Sequence, residues 1–105
     1  MPDRQYRQRA PEQQKDSAEE IAVAAFGFIA AEPERLARFL SLTGIALESL
    51  RAAAAEPRFL AGVLDHLGRE EPLLVAFAEE NGLDPGAVMR ARDVLAGHGW
   101  ESEMP

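Results

Sequence analysis

The chain nearly repeats itself at a spacing of 38 residues. Leu36, Phe39, Gly44, Ile45, Leu50 and Ala53 recur in register as Leu74, Phe77, Gly82, Leu83, Val88 and Ala91. Each set reads as a helix, a glycine stop, a short turn and a second helix. Apolar residues three and four apart trace one helical face. A glycine beyond them supplies the left-handed backbone that ends many helices. A chain built this way is constrained to short helices folded back on one another. A duplication leaves this pattern, and so do two independent hairpins that share the same stop chemistry.

Composition supports the same class. The chain has 105 residues, enough for one domain. Its apolar share is 47%, but 19 of those residues are alanines, which bury little area each. Only three Ile, five Val and one Thr are present, while Ala, Leu, Glu and Arg, all strong helix formers, dominate. The expected fold is an all-α, compact bundle of five or six short helices with two similar helix-Gly-turn-helix hairpins. Residues 1–16 are polar, rich in Gln and Arg, and lack apolar periodicity, so they read as a flexible tail. Residues 17–97 form the expected helical domain. Residues 98–105 read as a short polar C-terminal tail, with Trp100 expected to fold back onto the bundle.

The helix punctuation can be followed along the chain. Ser17 and Glu20 form a candidate capping box, which places the first helix start at Ser17. The run after it, Ile21 to Ala31, carries large apolar residues almost all round. Such a helix is either enclosed by its own domain or shared with another chain. Pro33 opens a second helix with Phe39 inward, Glu34 and Arg38 one turn apart, and Gly44 as its stop. A third helix is expected over about Ala46 to Ala55, with Leu47, Leu50 and Ala54 inward. Pro57 opens a fourth, ended by Gly68, and Pro72 a fifth, with Phe77 inward and Gly82 as its stop. Asp84 and Pro85 read as N-cap and first-turn residue of a sixth, ended by Gly97.

These features narrow the function classes. Cysteine is absent, which removes disulfides, thiolate nucleophiles and cysteine-based zinc sites and fits a reducing cytoplasm. The N-terminus is polar, without a signal-peptide pattern. The 11-residue apolar run falls short of the roughly 20 a membrane span needs. The net charge of −7 is uneven: residues 1–16 carry +1 and residues 17–105 carry −8. An acidic body repels phosphate backbones and anionic lipid, so neither nucleic acid nor membrane is an expected partner.

The sharpest functional pattern is helix-turn-helix. In VAFAEENGLDPGAVMRA, Phe77, Ala78, Gly82, Leu83, Val88 and Ala91 occupy the apolar and small positions of such a corner. The second helix offers Arg90 and Arg92 as DNA-facing donors, offset by Asp84 and Asp93. A tight apolar corner explains the pattern without DNA. His66 and Glu70 lie four apart, yet two ligands do not make a zinc site, and a partly packed ring is expected at His66. His98, between two glycines, reads as solvated. Glu19-Glu20, Glu70-Glu71 and Glu79-Glu80 are adjacent in sequence and so point to different sides of a helix. The serines form no nucleophile motif with either histidine, and no phosphate-binding glycine loop is present. No enzyme, cofactor or metal site is expected.

The runs RFLSLTGIALESLR, PRFLAGVLDHL and EPLLVAFAEENGLDPGAVMRAR together resemble the domain-of-unknown-function family 3572, small helical alphaproteobacterial proteins. The resemblance spans roughly residues 18–96. It rests on Leu-Thr-Gly at Leu42–Gly44, on Arg51, on Phe59-Leu60, and on Phe77 before Gly82. His66 departs from it, standing where an apolar residue is expected. The resemblance implies a compact helical cytoplasmic protein and no known activity. By elimination, and from the all-round apolar first helix, the expected function is a non-enzymatic protein-interaction module, an adaptor or small regulator. Its partner is another protein or a second copy in a homodimer. The alternative is a helix-turn-helix DNA-binding regulator using Arg90 and Arg92.

Overall fold

A computed structural model describes the backbone of residues 2–54 and 56–97, with side chains from Gln14 onward. The described residues form an all-helical bundle: α1 (Pro2–Ala30), α2 (Pro33–Thr43), a 3-10 turn (Leu47–Ser49) running into a single turn α3 (Leu50–Ala53), α4 (Pro57–Arg69), α5 (Glu71–Glu80) and α6 (Pro85–Ala96). His98 and Trp100 lie outside the described residues.

The centre is a three-way packing of α1, α4 and α6. Ala18, Ala22, Ala25 and Ile29 of α1 recur at spacings of four, three and four and are all buried. Three of the four are alanines, and small side chains let helix axes approach closely. Helix α4 supplies the apolar bulk, burying Phe59, Leu60, Val63, Leu64 and Leu67. Helix α6 adds Val88, Ala91 and Leu95. Helices α2 and α5 each insert a fully buried phenylalanine, Phe39 and Phe77, as expected. Phe39 meets Phe59 edge-on at 5.9 Å, Phe26 meets Phe59 at 5.5 Å, and Phe28 meets Phe77 at 5.5 Å. These edge-to-face contacts suit the ring quadrupoles.

The glycine and proline punctuation holds where backbone geometry demands it. Gly44, Gly82 and Gly97 all take positive φ, at 76°, 64° and 71°. The Gly44 N–H donates to the Leu40 carbonyl, and beyond Gly82 the Leu83 N–H reaches the Ala78 carbonyl at 2.8 Å, as in a Schellman end. Pro33, Pro57, Pro72 and Pro85 all stand in first turns. Asp84 occupies the N-cap position with extended backbone, although its side chain makes no capping hydrogen bond.

Three expectations are corrected. The first helix does not start at Ser17, because α1 is continuous from Pro2. Ser17 and Glu20 are therefore mid-helix and exposed, where each N–H already has a carbonyl four residues back, and they form no capping box. The upstream run is rich in Gln and Arg, which are good helix formers, although Pro11 stands inside it. Gln14 to Ser17 are exposed and Ala18 is buried, so these four residues need no apolar face. The third helix shrinks to a 3-10 turn and one α turn, and Leu47, expected inward, is 60% exposed. Ala46 at its start has no capping side chain, and Pro57 forces Glu56 into extended backbone at its end. Gly68 does not stop α4, which continues to Arg69. A Cβ at Gly68 would lie 2.8 Å from the Met89 sulfur, so this glycine serves the close approach of α6.

Two glycines test this account with opposite signs. Gly62 lies inside α4 with open space where its Cβ would be. Gly62→Ala is expected to raise stability by about 0.5–1 kcal/mol through helix propensity alone. Gly82→Ala also meets no atom but sits at positive φ, and is expected to cost about 1–2 kcal/mol. Thermal unfolding of the two variants beside the parent measures both.

Candidate functional site

The helix-turn-helix corner exists as an apolar corner. Phe77, Ala78, Val88 and Ala91 are buried and Leu83 is half-buried around the Gly82 turn. The two arginines on α6 then part company. Arg90 is exposed and makes no ion pair among the described residues. Arg92 turns back onto the protein: its Nε and Nη2 donate to Asp93 Oδ1 at 3.1 and 2.9 Å, and its Nη1 to Asp65 Oδ1 at 3.3 Å. The hydrogen bond to Asp93 raises the Arg92 pKa against partial burial, and the charges of Asp93 and Asp65 add to it. Arg92 thus ties α6 to α4, and its guanidinium is occupied.

The Asp65–Arg92 pair borders an open cleft of about 310 Å³ between α4 and α6, lined also by Ala61, Gly62 and Ala96. Asp65 further accepts from Arg69 Nε at 2.9 Å, one turn along α4. The apolar walls are small residues and the polar wall is already paired.

His66 faces the other way. It is only 6% exposed, and its ring meets Phe39 edge-on at 5.2 Å. Its Nε2 is buried without a hydrogen-bond partner. Burial pushes its pKa below the ordinary histidine value; Glu70 and Asp65 act against the shift and Arg38 with it. The expected partly packed ring is therefore a fully packed one. Glu70, the residue one turn on, is taken by another group. Arg38 does not pair with Glu34 along α2 but reaches across to Glu70, donating from Nη2 at 2.8 Å and Nε at 3.1 Å. That hydrogen bond holds the Glu70 carboxyl below the usual range. Among the described residues no three His, Asp or Glu side chains are grouped to hold a metal ion. Glu20, Glu79 and Glu80 are exposed, and Glu19 is half-buried.

Sequence reasoning missed one surface. Leu42 and Leu47 flank the Gly44 turn and are each 60% exposed, with Ile45 half-buried between them. Leu42 falls off the Leu36-Phe39-Leu40-Thr43 stripe, which was a legible signal. Leu47 is exposed because α3 is so short. Val23 on α1 and Val75 on α5 are the other exposed large apolar residues described.

A family model described as "Protein of unknown function (DUF3572)" matches residues 15–98. The chain belongs to the DUF3572 family. Comparison with curated proteins and with solved structures found no match. The match covers the whole DUF3572 bundle from the buried part of α1 to the end of α6, including the Leu42–Leu47 corner and the Arg92 clamp. No helix described is long and apolar enough to cross a membrane.

The two α6 arginines are separable by experiment. Arg92→Ala is expected to cost about 1 kcal/mol, since it unties a half-buried link between helices. Arg90→Ala is expected to stay within about 0.5 kcal/mol of the parent. Urea denaturation of both variants, repeated at high salt where the Arg92 effect should shrink, makes the comparison.

Proposed function

We propose that this DUF3572 protein is a non-enzymatic protein-interaction module, an adaptor or small regulator of the cytoplasm, and that it engages its partner through the α2–α3 corner. The observation that carries the reading is the exposure of Leu42 and Leu47 on either side of the left-handed Gly44 turn. Exposed apolar surface rimmed by polar residues marks protein interaction sites. The corner presents two leucines in a chain with few large apolar residues outside its core. The absence of cysteine supports a reducing compartment.

The all-round apolar character of α1 now favours a second copy less. Its alanine face is covered by α4 and α6 of the same chain. Arg92, held by Asp65 and Asp93, weakens the DNA-binding alternative, which is left with Arg90. His66 is packed against Phe39 instead of opening into a cleft, which supports a non-enzymatic role.

The test uses the full chain as bait, parent beside the double variant Leu42→Asp, Leu47→Asp. Both positions are exposed, so the melting temperature should be preserved. A stoichiometric partner held by the parent and bound at least tenfold more weakly by the double variant is the expected result, a loss of about 1.4 kcal/mol or more. Equal retention by both contradicts the assignment of the corner. Light scattering identifies a second copy as the partner if the parent is a dimer and the double variant a monomer.

A further inference from the structure

The attachment of α2 converges on one buried imidazole. Phe39 is the fully buried side chain of this helix, and His66 is part of the wall of its pocket, with Phe59 and Phe26. Leu36 and Leu40 add half-buried apolar contacts to the core, and the remaining ties of α2 are polar and near the surface. Arg38 bonds to Glu70, and Arg35 donates to the Phe28 carbonyl at 3.0 Å with its guanidinium 4.0 Å over the Phe28 ring. Pro33, Glu34, Ala37, Ser41, Leu42 and Thr43 face solvent.

Neutral imidazole carries one N–H, and imidazolium two. A proton added to the partnerless Nε2 would place a donor without an acceptor in apolar packing, at the full cost of an unsatisfied buried group. The charged groups that act on the ring, among the described residues, are Asp65 from its own helix, Glu70 at the α4–α5 corner and Arg38 from α2. Two of the features that oppose the cation are carried by α2. Phe39 covers the ring, Arg38 adds a positive charge, and Arg38 also occupies Glu70, the carboxylate best placed to accept from an imidazolium. If α2 lifts away, Phe39 and Arg38 go with it. Water reaches the ring, and Glu70 and Asp65 are left to favour the proton.

We propose that His66 is an acid-operated release for α2: protonation of its ring drives α2 off the α1–α4–α6 core, uncovering the Phe26–Phe39–Phe59 cluster while the core itself stays folded. This device works whether or not the α2–α3 corner is a partner site. Its direction follows from linkage. The histidine pKa is lowered in the closed form, so the open form binds more protons. The closed form has its full advantage above the ordinary value of about 6.5 and loses it as pH falls toward and through the lowered value.

Amide hydrogen exchange of the full chain at pH 7.5 and pH 5.0, corrected for the intrinsic effect of pH, tests this residue by residue. Protection of the α2 amides is expected to fall at least severalfold relative to those of α4 and α6. His66→Leu should remove that difference. Should it not fold, His66→Gln, which also lacks a titrating ring, takes its place. In the parent, NMR titration should put the His66 ring below 6.5, and Arg38→Gln should move it up by freeing Glu70. A uniform loss of protection across all helices, or an α2 response that survives replacement of His66, overturns the proposal. So does a His66 ring that titrates at the ordinary value.

Discussion

Close approach of α1 to its two neighbours is the constraint on which the rest of this fold depends. Ala18, Ala22 and Ala25 leave almost no side-chain volume between α1 and the core. That permits α4 and α6 to pack against α1 and against each other at once. Alanines bury little area individually, so the stabilising bulk comes from the facing side chains, above all Val63, Leu64 and Leu67 of α4 and Val88 of α6. Gly68 plays the same part at the other seam, where Met89 of α6 lies over α4. The many alanines that seemed to dilute the core are therefore spacing elements within it.

Helices α2 and α5 each insert one fully buried phenylalanine into this trio; α5 adds buried Leu74 and Ala78, whereas α2 adds only half-buried Leu36 and Leu40. Phe77 enters a wholly apolar setting beside Phe28, and its carbonyl accepts a hydrogen bond from the Asn81 side chain at 3.0 Å. Phe39 shares its pocket with an imidazole, and its helix is otherwise fastened by half-buried Leu36 and Leu40 and by Arg35 and Arg38. Stability is not spread evenly over a fold, and sparsely buried elements open first. Here the sparsely buried element leads into the corner that displays Leu42 and Leu47.

Much of this architecture was legible because it rests on local chemistry. A glycine at positive φ or a proline in a first turn acts within four or five residues, and Gly44, Gly82, Pro33 and Pro85 behave as their sequence context implies. The 38-residue repeat survives in the buried phenylalanines and the left-handed glycines, but its second helices diverge. Asp84-Pro85 starts a three-turn helix, whereas Ala46-Leu47 starts almost none. What was not legible is long-range. Arg38 finds Glu70 across 32 residues of chain, and Arg92 finds Asp65 across 27. Gly68 reads as a stop until the partner helix is seen above it. Ser17-Glu20 carries a correct capping pattern in the wrong place, because the sequence before it shows no apolar period to mark the helix's continuation. Of the candidate DNA-facing pair, the pattern placed both arginines on α6 correctly; only their neighbours decide that Arg92 is engaged and Arg90 is not.

The central claim is that the small face of α1 sets the spacing of the bundle, and Ala22, fully buried, tests it most directly. Equilibrium urea unfolding of Ala22→Leu is the measurement. If Ala22 is a spacer, the added side chain overpacks the α1–α4–α6 centre and lowers stability by about 1–3 kcal/mol. An unchanged or raised midpoint would mean that the centre has room to spare and that the packing described is not what holds the helices at their distance.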